Sequence, residues 1–394
     1  MNEVSPQLRT AARMAHIAPF EVMEIQSLAR QVEAQGGDVI HMEIGEPDFR
    51  TPQPVIDAAK RALDDHRMYY TSALGLPGLR EAISGFYRSR YGVDVPASRI
   101  IVTAGSSAAL LLAFGVLLDE GDEVLLADPS YPCNRHFVRT LGAVPRAISV
   151  GPESAYQLNA QIAREHWGAR TRMVMVASPA NPTGTLVAHE EVGRLAELAR
   201  EKGATLLVDE IYHGLTYGID ARTAAECGDD VFVVNSFSKY FQMTGWRLGW
   251  LLAPPALVRK IETLAQNLFI SPSAVAQHAA IACFTPATLA IAEERRKELD
   301  DRRRFLVPAL EALGFRVPVV PQGAFYVYAD CSALTDDSFT FARGILTEAH
   351  VAITPGRDFG RNQPERHIRI AYTQPVERIR VAMERIGKYI QAHK

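Results

Sequence analysis

The chain has 394 residues, 47% of them apolar and 22% charged, with a net charge of −3. This is an ordinary composition for a globular protein, and the length exceeds what one small core needs, so two domains are expected. Acids and bases are interspersed without a basic block, which argues against a nucleic acid or an anionic membrane surface as partner. The longest strongly apolar run, Ala108–Leu118, falls well short of the ~20 residues of a membrane span.

In chain order, the opening M-N-E-V-S-P lacks a basic stretch followed by an apolar one, so no signal peptide is expected. Residues 1–47 are expected to pack with the C-terminal part of the chain. From 48 to 285, short β-type runs alternate with helical patterns. The runs are Ile100–Thr103, Glu123–Ala127, Met173–Ala177, Thr205–Val208, Val231–Val234 and Leu248–Leu252. They are rich in Val, Ile and Leu and barely alternate, the pattern of strands buried on both faces of a parallel sheet. The segment E-E-V-G-R-L-A-E-L-A-R-E-K-G has apolar residues at helical spacing, acids first, bases late and Gly203 as its stop. These features predict an α/β domain with a mostly parallel sheet flanked by helices. Glu293–Arg304 is a charged helical stretch leading to a second unit. Residues 290–394, with F-Y-V-Y and H-I-R-I-A-Y, predict a smaller α+β domain. The four cysteines, Cys133, Cys227, Cys283 and Cys331, show no paired spacing and read as reduced thiols of a cytoplasmic protein. Cys133 with His136 is too little for a zinc site, and no metal is expected.

In open α/β sheets ligands bind beyond the C-terminal ends of the strands. Successive strands here run into A-G-S-S, D-P-S-Y, S-P-A-N-P-T-G, D-E-I-Y, and N-S-F-S-K with M-T-G-W-R. Singly, each residue has a plain reading. Ser106 can cap a helix, Lys239 can be an exposed loop lysine, and Asp209 and Asn181 can be turn residues. Tyr131 and Tyr212 can be core or rim aromatics, and Arg369, alternating with Ile368 and Ile370, can be a solvated charge. Together they point to one site. G-S-S at a helix start offers N–H groups and hydroxyls to a phosphate, and Ser236, Ser238 and Arg247 would reach the same place. A lysine drawn away from water and near cations loses basicity and becomes able to form a Schiff base. Phosphate-loop, dinucleotide, zinc-protease and serine-hydrolase signatures are absent.

The ordered set N-P-x-G, D-x-x-Y, S-x-S-K and an arginine eight residues after the lysine resembles the class I/II aminotransferases of pyridoxal-phosphate fold type I. M-T-G-W-R-L-G and E-I-G-E-P-D-F are most similar to their prokaryotic aspartate-aminotransferase-like branch, and the resemblance runs from about Ala18 to Tyr372. It implies that Lys239 binds the cofactor covalently and that Asp209 keeps the pyridine nitrogen protonated. Tyr212 and Asn181 would bond the phenolic oxygen, and Tyr131 would stack on the ring. Ser107, Ser236, Ser238 and Arg247 would hold the phosphate, aided by the backbone of the Gly105–Ser107 turn, with Ser106 between. Tyr70 would reach the phosphate of a neighbouring subunit, implying a homodimer. Arg369 would grip the substrate α-carboxylate, under a segment containing Gly45.

The implied reaction moves an amino group from an L-amino acid to a 2-oxo acid by a ping-pong route. A β-lyase of the same fold would share these residues, so the fold alone leaves that reaction open. A cofactor-binding regulatory module would need a winged-helix unit, for which no basic recognition helix is visible. Aspartate-selective relatives often carry a lysine on the helix after the phosphate turn. Here S-S-A-A-L-L-L-A-F-G-V-L-L has no charge, and Ile17-Ala18-Pro19-Phe20 adds apolar surface. A neutral or hydrophobic donor is therefore expected, with 2-oxoglutarate or pyruvate as acceptor.

Overall fold

The computed structural model describes residues 8–393; the opening M-N-E-V-S-P, read above for a signal peptide, lies outside them. Twelve strands are formed among the described residues. They are β1 (Ile40–His41), β2 (Ile100–Thr103), β3 (Glu123–Asp128), β4 (Val144–Ser149), β5 (Thr171–Ala177) and β6 (Thr205–Asp209). The remainder are β7 (Phe232–Ser236), β8 (Gly249–Leu252), β9 (Tyr326–Asp330), β10 (Val351–Ala352), β11 (Thr354–Pro355) and β12 (His367–Ala371).

A seven-stranded sheet runs in the order β2-β8-β7-β6-β5-β3-β4. Its core strands are buried on both faces, and alternate residues enter two separate cores. Val174, Val176, Leu206 and Val208 join one; Met173, Met175 and Leu207 join the other. That double burial is why these strands read as unbroken apolar runs. β4 was not expected. Its V-P-R-A-I-S pairs only with β3 and leaves Val144 45% exposed, and an edge strand tolerates proline and charge.

The sheet departs from parallel at β8, which runs antiparallel to both β7 and β2. The chain returns from β7 through residues 237–248 with only a short 3-10 turn, Thr244–Trp246. Without a crossover helix it must come back in the opposite direction. That return carries both Lys239 and Arg247 across the ends of the parallel strands.

The second region holds the antiparallel sheet β11-β12-β9 and the two-stranded parallel pair β1-β10. The pairing of Ile40 with Val351 ties the N-terminal segment to the C-terminal part of the chain. The helix Pro286–Ala312 leads from one region to the other. Among the described residues no single helix is long and apolar enough to cross a membrane.

Candidate active site

A cavity of about 350 Å³ opens at the C-terminal ends of the parallel strands. The Gly105–Ser107 turn follows β2, Tyr131 follows β3 and Asn181 follows β5. Asp209 ends β6 and Tyr212 comes just after it, while the β7–β8 return brings Ser238, Lys239 and Arg247. Gly45 arrives from the segment after β1, and Arg369 from β12. All of these residues except Gly105 line the cavity wall.

One end of the cavity suits an anion. Gly105 has φ +80, and a Cβ there would lie 2.6 Å from Nη2 of Arg247, so only glycine lets the arginine close on the turn. Gly249 allows the same approach from below, since its Cβ would meet the Gly105 carbonyl carbon and the Ser106 nitrogen at 2.9 Å. The helix Ser106–Leu117 begins here with no side-chain cap, its N-cap being Gly105. Its first N–H groups and positive dipole end are left for a ligand. The plainer reading of Ser106 as a cap thus gives way, because Ser106 is already the first helical residue. Ser236 does not reach the cavity. It is 1% exposed, and its Oγ lies 3.0 Å from Oγ of Ser238 and 3.1 Å from the Leu248 carbonyl oxygen. Ser236 thus lies beneath Ser238 and supports its hydroxyl.

At the centre, Nζ of Lys239 donates to the Gly45 carbonyl at 2.5 Å. Burial pulls its pKa down to about 8; Glu46 opposes this, and Arg369 and Arg247 reinforce it. Asp209 is 6% exposed and accepts from the Ile211 N–H at 3.1 Å. Burial pushes its pKa up to about 7, against that hydrogen bond and the charge of Lys239. The hydroxyls of Tyr212 and Tyr326 lie 2.9 Å apart. Tyr131 is packed against Phe20 with rings 22° from parallel and 6.4 Å between centroids.

Arg369 closes the other end. It is 5% exposed, with its guanidinium 4.4 Å from the Tyr326 ring centre and 4.9 Å from that of Phe359. Nη1 donates to Oδ1 of Asn181 at 2.9 Å and Nη2 to Oγ1 of Thr354 at 3.2 Å. A solvated charge is therefore the wrong reading of this arginine. Two rings flank it, and it faces the cavity, where it can meet a carboxylate. Gly45 has no room for a side chain, since a Cβ would overlap the Tyr326 hydroxyl.

Tyr70 stands apart. It is 82% exposed and lies outside the cavity lining. Several lining residues escaped sequence reasoning, among them Tyr326, Glu46, Thr244, Asp358 and Phe359. Tyr326 sat in a run read only as a strand. Glu46 lay inside the E-I-G-E-P-D-F motif, and its acidity beside Gly45 was the available signal. Asp358 and Phe359 carried no local signal.

Residues 37–386 match the family model described as aminotransferase class I and II. A valine–pyruvate aminotransferase of Mycobacterium tuberculosis is 39% identical over 97% of this chain and 98% of its own length. An aspartate aminotransferase of Geobacillus stearothermophilus is 32% identical over 98% of this chain and 100% of its own. Among solved structures, an aminotransferase from Mycobacterium tuberculosis superposes with a TM-score of 0.95 at 39% identity, covering 98% of this chain and 100% of its own. The fold is that of the aspartate-aminotransferase-like fold type I enzymes.

Proposed function

The chain belongs to the class I and II aminotransferases, and from that premise we propose that it passes the amino group of a neutral or hydrophobic L-amino acid to a 2-oxo acid through Lys239. As in its relatives, the cofactor is pyridoxal phosphate. Bound, this group supplies an electron sink for the charge left when the substrate Cα loses its proton.

The residues fit the cofactor. The open helix N-terminus at Ser106 and Ser107, with Arg247 and Ser238, would hold the phosphate, and the close approach allowed by Gly105 suits a small tetrahedral anion. Asp209, buried and with a single hydrogen bond from Ile211, would hold a proton on the pyridine nitrogen. Asn181 and Tyr212 would bond the phenolic oxygen, and Tyr131 would lie on the ring face. Lys239 would carry the covalent attachment. Its lowered pKa leaves a usable fraction of neutral amine near neutral pH. Displaced by the incoming amine, Nζ would serve as the base that takes the Cα proton. Arg369 would fix the α-carboxylate, so the same site would take donor and acceptor in turn. Water would release the donor as a 2-oxo acid, its amino group staying in the site until the acceptor takes it and leaves as an amino acid, and the covalent attachment of Lys239 would then be restored.

The donor class rests on the composition of the cavity wall. The cations that line it are Lys239, Arg247 and Arg369, and each already has a role. Among the described residues no lining cation is left for a second carboxylate, while Asp358 and Glu46 add negative charge. Phe20, Val22, Met23, Ile44 and Leu110 supply apolar surface, which favours an apolar side chain by ~25 cal/mol per Å² buried and penalises an unpaired carboxylate. The name of the valine–pyruvate relative agrees with this reading. Specificity constants for valine, methionine, phenylalanine, alanine and aspartate, measured with one acceptor, test it. At least one neutral donor should exceed aspartate by about tenfold or more. A preference for aspartate over all four would refute it.

Two further features belong to the proposal. The enzyme works as a homodimer, with Tyr70 lent to the neighbouring site. It resides in the cytoplasm, a location supported by four cysteines that are all free thiols.

A further inference from the structure

The helix Glu21–Ala34 brings Phe20, Val22 and Met23 to the mouth of the cavity, yet its own sequence gives it little hold there. Ile25 and Ala29 are its only fully buried residues, and its N-cap position, Phe20, has no capping side chain. The cap comes instead from 337 positions away. Oδ1 of Asp358 accepts from the Glu21 N–H at 2.6 Å and Oδ2 from the Val22 N–H at 2.9 Å. Both carboxylate oxygens are engaged, and a negative charge sits at the positive end of the helix.

Asp358 is itself held from the large sheet. Its carbonyl accepts from Nη2 of Arg135 at 2.7 Å, and the Phe359 carbonyl accepts from the Ser130 N–H at 2.9 Å. Oδ2 of Asp128, at the end of β3, accepts from the Arg361 N–H at 2.9 Å. Gly360 permits this, because a Cβ there would overlap the Asp128 carboxylate. The helix start is thus fastened, through residues 358–361, to the same strand ends that carry the reactive groups. Asp358 also precedes Phe359, whose ring flanks Arg369.

We infer that Asp358 is the positioning residue for donor choice: by capping a remote helix it holds Phe20 and Val22 where the substrate side chain must pass. The inference rests on the apolar-donor reading above, but it is tested separately. That reading stands or falls on the donor profile of the wild-type enzyme. The clasp is tested by the ratio of variant to wild type for each donor and by hydrogen exchange of the peptide covering residues 18–26.

In the holoenzyme, Asp358→Ala should lower kcat/KM for phenylalanine by roughly tenfold, the loss expected when a helix cap is removed, chiefly through KM. For alanine, whose side chain is a single methyl with little surface to bury against Phe20, the fall should stay below about threefold. Exchange in the 18–26 peptide should rise, and the visible absorbance of the bound cofactor should be unchanged. Asp358→Asn keeps one acceptor oxygen and should fall between the two. It also serves if the alanine variant folds poorly. Phe20→Ala should reproduce the selective loss without changing exchange downstream of residue 22. Equal losses for phenylalanine and alanine, unaltered exchange in both Asp358 variants, or a Phe20→Ala enzyme with wild-type donor ratios would each overturn the assignment.

Discussion

Nη1 of Arg369 donates to Oδ1 of Asn181 at 2.9 Å, joining β12 of the small sheet to the loop that follows β5. The amide orients a guanidinium that is flanked by Tyr326 and Phe359 and that also donates through Nη2 to Thr354 and the Glu43 carbonyl; a carboxylate would share or displace these partners to meet the planar fork. A lysine cannot keep the Asn181 bond and offer two parallel donors as well. Arg369→Lys should therefore raise KM for both donor and acceptor by about 10- to 100-fold, the worth of a charge-assisted hydrogen bond, with a smaller change in kcat. Steady-state kinetics with each substrate varied in turn check this. An unchanged KM would place the α-carboxylate elsewhere.

The lysine makes a prediction that needs no substrate. In the cofactor-free protein, the rate of labelling Lys239 with an amine-reactive reagent should rise with pH through a midpoint near 8, since the neutral amine is the reactive form. An unperturbed lysine would titrate at ~10.4. Mass spectrometry of the labelled peptide gives the profile. Lys239→Ala should lose the covalent link to the cofactor and about a thousandfold or more in turnover. Borohydride reduction and digestion that found the cofactor on another lysine would sink the assignment.

Asp209 carries a cost in the folded state that pH reveals. Its pKa is raised to about 7 in the fold, whereas the unfolded chain titrates near ~3.9. Between those values the folded protein binds the extra proton, so stability is greatest below the window and falls as pH rises through it. The slope is on the order of 1.4 kcal/mol per pH unit. Urea unfolding of the cofactor-free protein at pH 5, 6 and 7 should show wild type losing stability relative to Asp209→Asn, which has no proton to lose. The same variant, loaded with cofactor, should turn over about a hundredfold more slowly or worse, roughly 3 kcal/mol of barrier. A parallel stability profile for the two proteins would mean that the carboxylate is not held in a desolvated place.

How far the sequence discloses such a site depends on the range of the interactions that build it. β5 and β6 were readable because both faces are buried, so their apolar runs are continuous. The groups after them, Asn181 and Asp209, were legible as site candidates only together with the residues that follow the other strands. β4 was not readable, since an exposed edge places no hydrophobic demand on V-P-R-A-I-S. The reversal of β8 was also hidden. It depends on the short return through Lys239 and Arg247, and no residue pattern marks strand direction. Alternation with Ile368 and Ile370 showed that Arg369 leaves their side of the strand. Only the packing of Tyr326 and Phe359 shows that it meets a buried cavity instead of water. Asp358 lay furthest from view, because its partners Glu21 and Val22 are brought to it only by the finished fold.

Tyr70 carries the last prediction. It is 82% exposed beside Tyr69 at 83% and Met68 at 53%, an apolar and aromatic surface suited to a second copy of the chain. If Tyr70 serves the neighbouring site, every complete site draws Lys239 from one subunit and Tyr70 from the other. A Lys239→Ala chain paired with a Tyr70→Phe chain then holds one site with both residues intact and one with neither. Purified hybrid dimers, made with two affinity tags, should show about half the wild-type activity per dimer, since a two-fold assembly rebuilds one of its two sites. Each parental homodimer should fall well below that level, the Tyr70→Phe dimer through weakened cofactor retention on dilution. Hybrids no more active than the mean of the two parents would show that Tyr70 acts within its own subunit or not at all. A fully active monomer on sedimentation would refute the shared site outright.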